Sequence, residues 1–390
     1  MNPKRLLIAA EIFPPAIGGP ATYAATLARE LPPRGWHVTV VCYADQVTGK
    51  YPATIVPVPR WGGPALRYWR YFRTLWKLAR NFPVIYAQGP VSSGLSALVV
   101  AKLRRKKLVV KVTGDYAWEQ AFRAGATKEF IEPFQRQRAG GKYGALRFIE
   151  RLVCRNADAV VAPSEFLKKI IVGWGVKAAK ASVIYNAPSF PVIVGDKAQV
   201  RSELHIPVDF TLVVSVGRPV PWKGFGALGC AVVKLIAEGS NVRLVCLGVT
   251  DVELRELMAQ AGGKPLPPGD SRLTGKGVVG KEELMAWLRA ADCLVLNTAY
   301  EGLSHIILEA MHAGTPVITT DVGGNRELIR HGETGMFVPY NDVEKLRQAI
   351  ADLMDNSGSY GGLAIAAARE LERFSLPAIM EATVRLLLRV

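Results

Sequence analysis

The sequence predicts an α/β protein with two domains, each built on a parallel sheet that is covered by helices. The chain has 390 residues, more than one hydrophobic core usually organises. Short apolar runs alternate with amphipathic stretches from end to end, which is the pattern of doubly wound sheets. The pattern occurs as two similar series, and the proline-rich passage 186–191 lies between them.

The elements follow from the two series in order. Apolar runs of the first series predict strands at 5–10, 37–42, 54–57, 84–87, 108–112 and 159–162. Amphipathic stretches between them predict helices that include 21–31, 66–80 and 165–172. The second series predicts strands at 212–216, 242–247, 272–274, 293–296, 317–319 and 336–338. Two such domains facing one another would form a cleft at the carboxyl ends of both sheets, where ligands generally bind in these folds.

Composition excludes several classes of protein. Hydrophobic residues make up 49% of the chain and charged residues 21%, which argues against disorder. The longest weakly polar stretch, 91–101, is too short to cross a bilayer, and the N-terminus has no cleavable apolar region of the usual length. Five scattered cysteines in apolar runs are typical of reduced core thiols. We therefore expect a cytoplasmic protein without a disulfide framework.

The positive charge is concentrated in the first half. Residues 1–200 carry a net charge of +19, whereas residues 201–390 carry −3. This asymmetry predicts an anionic partner for the first half, which is a membrane surface, a nucleic acid or a polyanionic substrate. No recognition motif for nucleic acid accompanies the charge, so we expect none to bind.

Two stretches hold much of this excess, 67–80 and 104–107. The first interleaves aromatic residues with arginines at near-helical spacing, a composition that suits the headgroup region of an anionic membrane. The alternative is a helix that packs its aromatic face on the sheet and leaves its arginines in water. Both interpretations stay open from the sequence.

The strongest local motif is the stretch 301–310, which follows the predicted strand 293–296 and has the form E-x7-E. Gly302 is expected to open a helix, so that Glu301 lies in the loop and Glu309 points from the helix. The backbone amides of the first turn would then bind an anion or sugar hydroxyls; they belong to Gly302, Leu303, Ser304 and His305. The alternative is two solvated glutamates on an ordinary helix.

Further motifs follow in a recognisable order. They are AGTPVI at 313–318, GGNRELI at 323–329 and GETG at 332–335, with VGR at 216–218, KG at 223–224, VAPS at 161–164, PP at 14–15 and GG at 18–19 upstream. With these motifs the chain resembles the retaining glycosyltransferases of family 4, which have the GT-B fold of two Rossmann-like domains facing across a cleft. The resemblance extends over almost the whole chain and is most specific in the C-terminal half.

The resemblance implies a division of labour. Residues 1–190 would form the acceptor-binding domain and 191–373 the sugar-nucleotide-binding domain, with a helix at 374–390 returning to the first. Glu309 would hold the ribose hydroxyls and Glu301 the transferred sugar. Arg218 and Lys223 would bind the diphosphate, which gains negative charge as it departs. The sugar nucleotide is a substrate, and no cofactor is expected.

Three features of the sequence refine this expectation. No Asp-x-Asp occurs, which favours neutralisation of the diphosphate by Arg218, Lys223 and helix dipoles, so we predict no metal. Gly18 and Gly19, after the first strand, would let the backbone approach the donor, although a plain turn is the alternative. Many relatives have a histidine after the strand 108–112, where this chain has Asp115; that residue is either a catalytic substitute or a helix N-cap.

The expected function is that of a retaining, metal-independent glycosyltransferase of the hexosyltransferase type. It would move a sugar from a nucleotide-diphosphate sugar to a glycan or lipid-linked acceptor in cell-surface polysaccharide or glycolipid synthesis, in peripheral contact with the cytoplasmic face of a membrane. The alternatives are a sugar-nucleotide epimerase, which needs no acceptor, and a non-catalytic nucleotide-sugar-binding protein. The sequence identifies neither the base, the sugar nor the acceptor.

Overall fold

The structure is a computed structural model that describes residues 4–16, 18–186, 190–191 and 194–390. The chain divides into two compact units. The first unit contains residues 1–187 together with 376–390, and the second contains residues 188–375. Each unit is a parallel sheet covered by helices.

The sheet of the first unit has seven strands in the order β3-β2-β1-β4-β5-β6-β7, and every neighbouring pair is parallel. The strands are β1 (Lys4–Ala10), β2 (Trp36–Tyr43), β3 (Thr54–Val58), β4 (Val84–Gln88), β5 (Lys107–Lys111), β6 (Ala159–Ala162) and β7 (Ala181–Val183). The helices are α1 (Gly19–Glu30), α2 (Gly63–Ala79), α3 (Gly94–Leu103), α4 (Tyr116–Arg123), α5 (Ile131–Arg136), α6 (Gly141–Asn156), α7 (Glu165–Gly173) and α15 (Leu376–Arg389).

The sheet of the second unit has six parallel strands in the order β10-β9-β8-β11-β12-β13. The strands are β8 (Thr211–Val216), β9 (Val242–Leu247), β10 (Leu273–Gly275), β11 (Cys293–Leu296), β12 (Val317–Thr320) and β13 (Met336–Val338). The helices are α8 (Lys197–Glu203), α9 (Phe225–Ala237), α10 (Asp251–Gln260), α11 (Lys281–Ala290), α12 (His305–Ala313), α13 (Val343–Asp355) and α14 (Ser357–Arg369).

All twelve predicted strands are present, and the predicted fold class is confirmed. The central strands are recognisable because a parallel sheet is buried on both faces and its strands read as unbroken apolar runs. In β1 the last five residues, Leu6 to Ala10, are all fully buried. Strand β7 was not predicted, because its three residues, Ala-Ser-Val, are too few to show a periodic pattern.

The last helix, α15, belongs to the first unit. Its residues Ile379, Met380 and Leu387 are buried in the same hydrophobic cluster as residues of β1 and β2. The core of the first unit is therefore completed by a segment from the far end of the chain.

Helix α2 does not pack its whole aromatic face on the sheet, which was one of its two predicted arrangements. Of its five aromatic residues, all of which the structure describes, Tyr71 alone is buried, and its hydroxyl donates to the carbonyl oxygens of Ala10 and Val41 at 3.0 and 3.2 Å. Trp69 is 58% exposed. Its ring stacks on that of Phe72 on the outer side of the helix, because only the positions of Tyr71, Leu75 and Ala79 face the core.

Two further observations concern the chain as a whole. The five cysteines are free and buried. No helix among the described residues is long and apolar enough to span a bilayer.

Candidate functional site

Three predicted site residues of the second unit, Arg218, Lys223 and Glu301, lie on loops beyond the carboxyl ends of two central strands. The strand order reverses between β8 and β11, and in doubly wound sheets ligands bind at such a switch point, beyond the carboxyl ends of the strands. Arg218 and Lys223 follow β8, and Glu301 follows β11. The two loops therefore start side by side.

The loop after β8 begins with a close backbone approach. The amide of Gly217 donates to the carbonyl oxygen of Leu247 at 3.0 Å. A Cβ atom on Gly248, whose φ is +86°, would come within 2.5 Å of the Gly217 carbonyl oxygen, so this neighbour must be glycine. Arg218 comes next and is exposed. Its guanidinium is thus available to an anion at the end of the strand.

Lys223 lies over the start of this loop and forms an ion pair with Glu301. The ammonium donates to Oε1 of the carboxylate, and the two side chains are only 14% and 15% exposed. The aliphatic stem of Lys223 lies beside Gly217. A Cβ atom on Gly217 would be 3.5 Å from Cδ and Cε of the lysine. These two residues were predicted to make separate contacts with the donor, and their pairing was not predicted.

Backbone and side-chain hydrogen bonds hold the two loops together. The amide of Gly224 donates to the carbonyl oxygen of Asn297 at 2.7 Å, and the side-chain amide of Asn297 donates to the carbonyl oxygen of Gly224 at 2.8 Å. Lys223 and Thr298 form an isolated antiparallel bridge. These contacts fix the position of Lys223 relative to Glu301.

The pair Gly323-Gly324 fixes the backbone of Glu301. The amide of Gly324 donates to the Glu301 carbonyl oxygen at 2.9 Å. A Cβ on Gly323, whose φ is +54°, would lie 2.2 Å from the same oxygen, and a Cβ on Gly324 would lie 2.4 Å from the carbonyl oxygen of Gly302. The GG of the motif at 323–329 therefore serves close packing against the loop that carries Glu301.

The helix of the E-x7-E motif starts later than predicted. Helix α12 begins at His305 and not at Gly302, because Ser304 is its N-cap and its hydroxyl accepts from the amide of Ile307 at 3.4 Å. Gly302 and Leu303 thus precede the helix. The expectation that their amides are donors of its first turn is wrong. The other expectation is confirmed, since Glu301 lies in the loop and Glu309 lies on the helix.

Glu309 is 6% exposed and forms an ion pair with Lys281, the first residue of α11. Burial raises the pKa of the Glu309 carboxyl above its ordinary value, and the ammonium of Lys281 acts in the opposite direction. The side chain of Lys281 is 38% exposed. Sequence reasoning missed Lys281, because a lysine at the first position of a helix carries no motif.

Asp115 takes the capping role that was one of its two predicted alternatives. Its carboxylate caps α4, accepting from the amide of Trp118 at 2.8 Å and from Nε2 of Gln135 at 2.7 Å, and the residue is 1% exposed. Glu150 supports the same helix end, accepting from the amide of Tyr116 at 2.7 Å. The catalytic alternative is not favoured, because both oxygens of Asp115 are occupied and buried.

Gly18 and Gly19 lie at the start of α1, which begins at Gly19, two residues before the predicted position. Gly18 is the N-cap with a φ of 148°, and its carbonyl oxygen accepts from the amide of Thr22 at 3.1 Å. Gly18 and Gly19 thus open a helix after β1. Their expected contact with the donor stays a prediction. Among the described residues, no group of three or more His, Cys, Asp or Glu side chains is placed to hold a metal ion.

Two family models match the chain. The family described as "Glycosyltransferase Family 4" matches residues 17–187, and the family described as "Glycosyl transferases group 1" matches residues 211–356. Together they cover most of both units.

Curated relatives agree with these matches. The chain is 28% identical over 281 residues to alpha-maltose-1-phosphate synthase of Mycolicibacterium smegmatis, which is 67% of this chain and 71% of the relative. It is 30% identical over 211 residues to the lipopolysaccharide core biosynthesis glycosyltransferase LpsE of Rhizobium meliloti, which is 52% of this chain and 56% of the relative. A D-inositol 3-phosphate glycosyltransferase of Thermobispora bispora is 30% identical over 46% of this chain and 43% of its own. The matches to the last two relatives thus span about half of their length.

Solved structures show the same fold at low sequence identity. HepE of Anabaena, in complex with UDP and glucose, has a TM-score of 0.77 and 17% identity over 99% of this chain and 100% of its own. Sucrose-phosphate synthase of Thermosynechococcus elongatus has a TM-score of 0.79 and 22% identity over 99% of this chain and 98% of its own. The two sheets, the ordered motifs and these matches agree, and the chain belongs to the family 4 glycosyltransferases, which have the GT-B fold.

Proposed function

We propose that this chain is a retaining, metal-independent glycosyltransferase that moves a hexose from a nucleotide-diphosphate sugar to a glycan or lipid-linked acceptor. The observation that carries the proposal is the convergence of a guanidinium, an ammonium and a carboxylate at the switch point between β8 and β11, next to a helix that bears a buried carboxylate. The relatives support a nucleotide-sugar donor, since HepE was solved with UDP-glucose.

The donor would bind by replacing two ion pairs. The ammonium of Lys223 and the guanidinium of Arg218 would contact the diphosphate, and Glu301, released from Lys223, would accept hydrogen bonds from hydroxyls of the transferred sugar. Glu309 would leave Lys281 and accept hydrogen bonds from the ribose hydroxyls. Because each carboxylate is paired before the donor arrives, neither is left as an uncompensated buried charge.

These cations would also lower the barrier of the chemical step. As the bond between the anomeric carbon and the phosphate oxygen breaks, the leaving diphosphate gains negative charge, which Arg218 and Lys223 would stabilise. The acceptor oxygen forms its bond to the anomeric carbon on the same face, and its proton passes to the leaving phosphate oxygen. Retention is taken from the family, and no step in this scheme calls on a metal ion or a cofactor.

The acceptor is proposed to be lipid-linked or membrane-associated because of the surface around α2. Between Asp45 and Asp115 the sequence contains thirteen Lys and Arg residues and no Asp or Glu. On this surface Trp69 is largely exposed, and the guanidinium of Arg104 at the end of α3 lies 3.9 Å from the ring centre of Trp76. Exposed aromatic rings among arginines suit the headgroups of an anionic bilayer. LpsE, a relative named for lipopolysaccharide core synthesis, supports the same acceptor class.

The experiment that tests this function is a product analysis with a panel of sugar nucleotides. We expect one donor to be consumed with transfer of its sugar to an added glycan or glycolipid, in the presence of a chelator and with the anomeric configuration kept. A new epimer of the donor without transfer would identify an epimerase, and binding of a nucleotide without any turnover would identify a non-catalytic protein. Activity that is present without the chelator and lost in its presence would refute metal independence.

A further inference from the structure

A third loop of the second unit contacts the loop that carries Arg218 and Lys223. It connects β13 to α13 and contains residues 339–342. The hydroxyl of Tyr340 in this third loop donates to the carbonyl oxygen of Pro221 at 3.2 Å. The donor chemistry proposed above gives the third loop no role. It nevertheless contacts the backbone between the two cationic residues.

Asn341, the next residue, forms a reciprocal pair of hydrogen bonds with Asn297, which directly follows β11. The backbone amide of Asn341 donates to Oδ1 of Asn297, and Nδ2 of Asn297 donates to Oδ1 of Asn341, both at 3.0 Å. The same Nδ2 donates to the carbonyl oxygen of Gly224 at 2.8 Å. A side-chain amide has two hydrogens to donate, so both are used. One buried amide, on a residue that is 4% exposed, thus joins three loops.

The orientation of the Asn297 amide is determined by its backbone partners. The main-chain nitrogen of Asn341 can only donate, and the carbonyl oxygen of Gly224 can only accept. Oδ1 must therefore face the first and Nδ2 the second. An aspartate at position 297 would place an acceptor against the Gly224 carbonyl oxygen, and an apolar residue would leave both backbone groups without this partner. The contacts thus require an amide side chain.

Gly224, the residue after Lys223, packs directly against the two asparagines. A Cβ atom on Gly224 would overlap Nδ2 of Asn297 and Oδ1 of Asn341. Its backbone amide donates to the carbonyl oxygen of Asn297 at 2.7 Å. Asn341 has a φ of 57°, in the left-handed region that asparagine adopts more readily than most residues. The backbone next to Lys223 is therefore fixed by contacts that do not involve its charge.

We propose that Asn297 and Asn341 are positioning residues of the donor site, which hold the backbone of the loop 217–224 while Lys223 changes its partner. This inference rests on the proposed function. In the proposed exchange the ammonium leaves Glu301 for the diphosphate, so their ion pair no longer ties the two loops together. The asparagine contacts use only backbone groups and side-chain amides. Neither the carboxylate nor the donor takes part in them, so they persist through the exchange.

A fixed backbone matters for the chemical step. Lys223 would stabilise negative charge that develops as the bond to the leaving group breaks, and such stabilisation depends on groups that are oriented before the reaction. A displacement of about 1 Å can cost about a hundredfold in rate. Because the charge is fully developed only late in the reaction, a loosened loop is expected to lower kcat more than it raises KM.

The first test is hydrogen–deuterium exchange of the full chain without ligand. Asn341→Gly keeps the left-handed backbone and removes Oδ1. Exchange of the segment 218–225 is expected to be about fivefold faster in this variant, which corresponds to the loss of about 1 kcal/mol. Asn341→Asp, which keeps Oδ1, is expected to exchange like the wild type. His205→Gly, a change at another left-handed position of the same unit, is the matched control and is expected to leave the segment unchanged.

The second test separates positioning from a merely structural contact. Turnover of UDP-glucose, GDP-mannose and ADP-glucose is followed as release of the nucleoside diphosphate. Asn341→Gly is expected to lower kcat roughly tenfold or more and to change KM less. Tyr340→Phe, which removes the hydrogen bond to Pro221 and keeps the ring, is expected to have a smaller effect of the same kind. A merely structural contact would lower the melting temperature and leave kcat unchanged.

Two results would overturn the positioning role. One is exchange at 218–225 that is the same in Asn341→Gly as in the wild type, and the other is an unchanged kcat in that variant. Absence of turnover by the wild-type protein with every sugar nucleotide would count against the proposed function instead. Exchange in the unliganded protein would then decide by itself whether the asparagines hold the loop.

Discussion

Glu309 and Lys281 form an ion pair that the proposed donor would displace. The carboxylate is nearly inaccessible, whereas its cation partner is partly exposed and can move into water when a donor arrives. In the proposed exchange the carboxylate would lose its ion pair and gain hydrogen bonds from the ribose hydroxyls, and the ammonium would be solvated by water.

Lys281→Met should shift the pH dependence of nucleotide binding. The ammonium lowers the pKa of Glu309, so its removal raises that pKa further above the ordinary value. The accepting carboxylate is then lost at a higher pH, and the affinity for a nucleoside diphosphate should begin to fall earlier as the pH decreases. Calorimetric titrations at several pH values measure this shift, with Lys264→Met as an exposed control in the same unit. An unchanged profile would mean that the Glu309 carboxylate takes no part in binding.

The sequence predicted which residues gather at the switch point, but not how they pair. Glu301, Lys223 and Arg218 were recognisable because motifs place them on the loops that follow β8 and β11. The pairing of Lys223 with Glu301, and of Lys281 with Glu309, depends on how loops far apart in sequence pack, which no local pattern contains.

Among the elements, helix α4 shows why Asp115 was ambiguous. An aspartate before a helix after a buried strand is equally the pattern of a cap and of a ligand-binding carboxylate. Contacts with distant residues favour the capping role. Gln135, twenty residues away, donates to Asp115, and Glu150 on α6 accepts from the first amide of the helix.

Asp115→Ala should therefore cost stability and leave donor binding unchanged. Loss of a cap typically costs about 1 kcal/mol, and the buried amide of Trp118 would lose its acceptor in addition. Urea unfolding measures the loss, and Asp115→Asn, which keeps an accepting oxygen for Trp118, should recover much of it. A variant of normal stability with abolished turnover would restore the catalytic alternative.

Helix α2 was predicted in position but not in orientation. The near-helical spacing of its aromatic residues and arginines indicated a helix, and the sequence could not decide whether the aromatic rings face inward. Tyr71, Leu75 and Ala79 face the core and Trp69 is 58% exposed, and contact of this surface with a membrane stays a proposal.

The protein should co-sediment with liposomes that contain phosphatidylglycerol, and less so as the salt concentration rises, because screening weakens the attraction. Arg73→Glu together with Lys77→Glu, two exposed positions of α2, should reduce binding strongly. The charge-matched control Lys264→Glu with Arg369→Glu, on the second unit, should not. Equal binding of both double variants would show that net charge alone, and not the surface around α2, attracts the membrane.

For the molecule as a whole, the repetition of one strand order in both units is the main organising fact. Length and the two apolar series sufficed to predict two parallel sheets, because central parallel strands are buried on both faces and leave a strong signal. The order of the strands was not predicted. The contribution of α15 to the first core needed the family resemblance, since no local pattern shows where a terminal helix packs.

A nucleoside diphosphate that binds at the proposed site should stabilise the protein and protect specific segments. At a hundred times its dissociation constant a ligand adds about 2.7 kcal/mol. Hydrogen exchange should slow at 217–224 and 297–309, and slowing at 18–22 would support the contact of Gly18 and Gly19 with the donor. Protection confined to other segments would place the nucleotide elsewhere.

The most direct test is the affinity of the full chain for its nucleoside diphosphate, measured by calorimetry on Arg218→Ala and Glu309→Ala with Arg369→Ala and Glu256→Ala as exposed controls. Hydrogen bonds to charged groups contribute about 1.5–3 kcal/mol, so each site variant should bind roughly tenfold more weakly or worse. The controls should bind like the wild type. Folded site variants with wild-type affinity would contradict a donor site at the β8–β11 switch point.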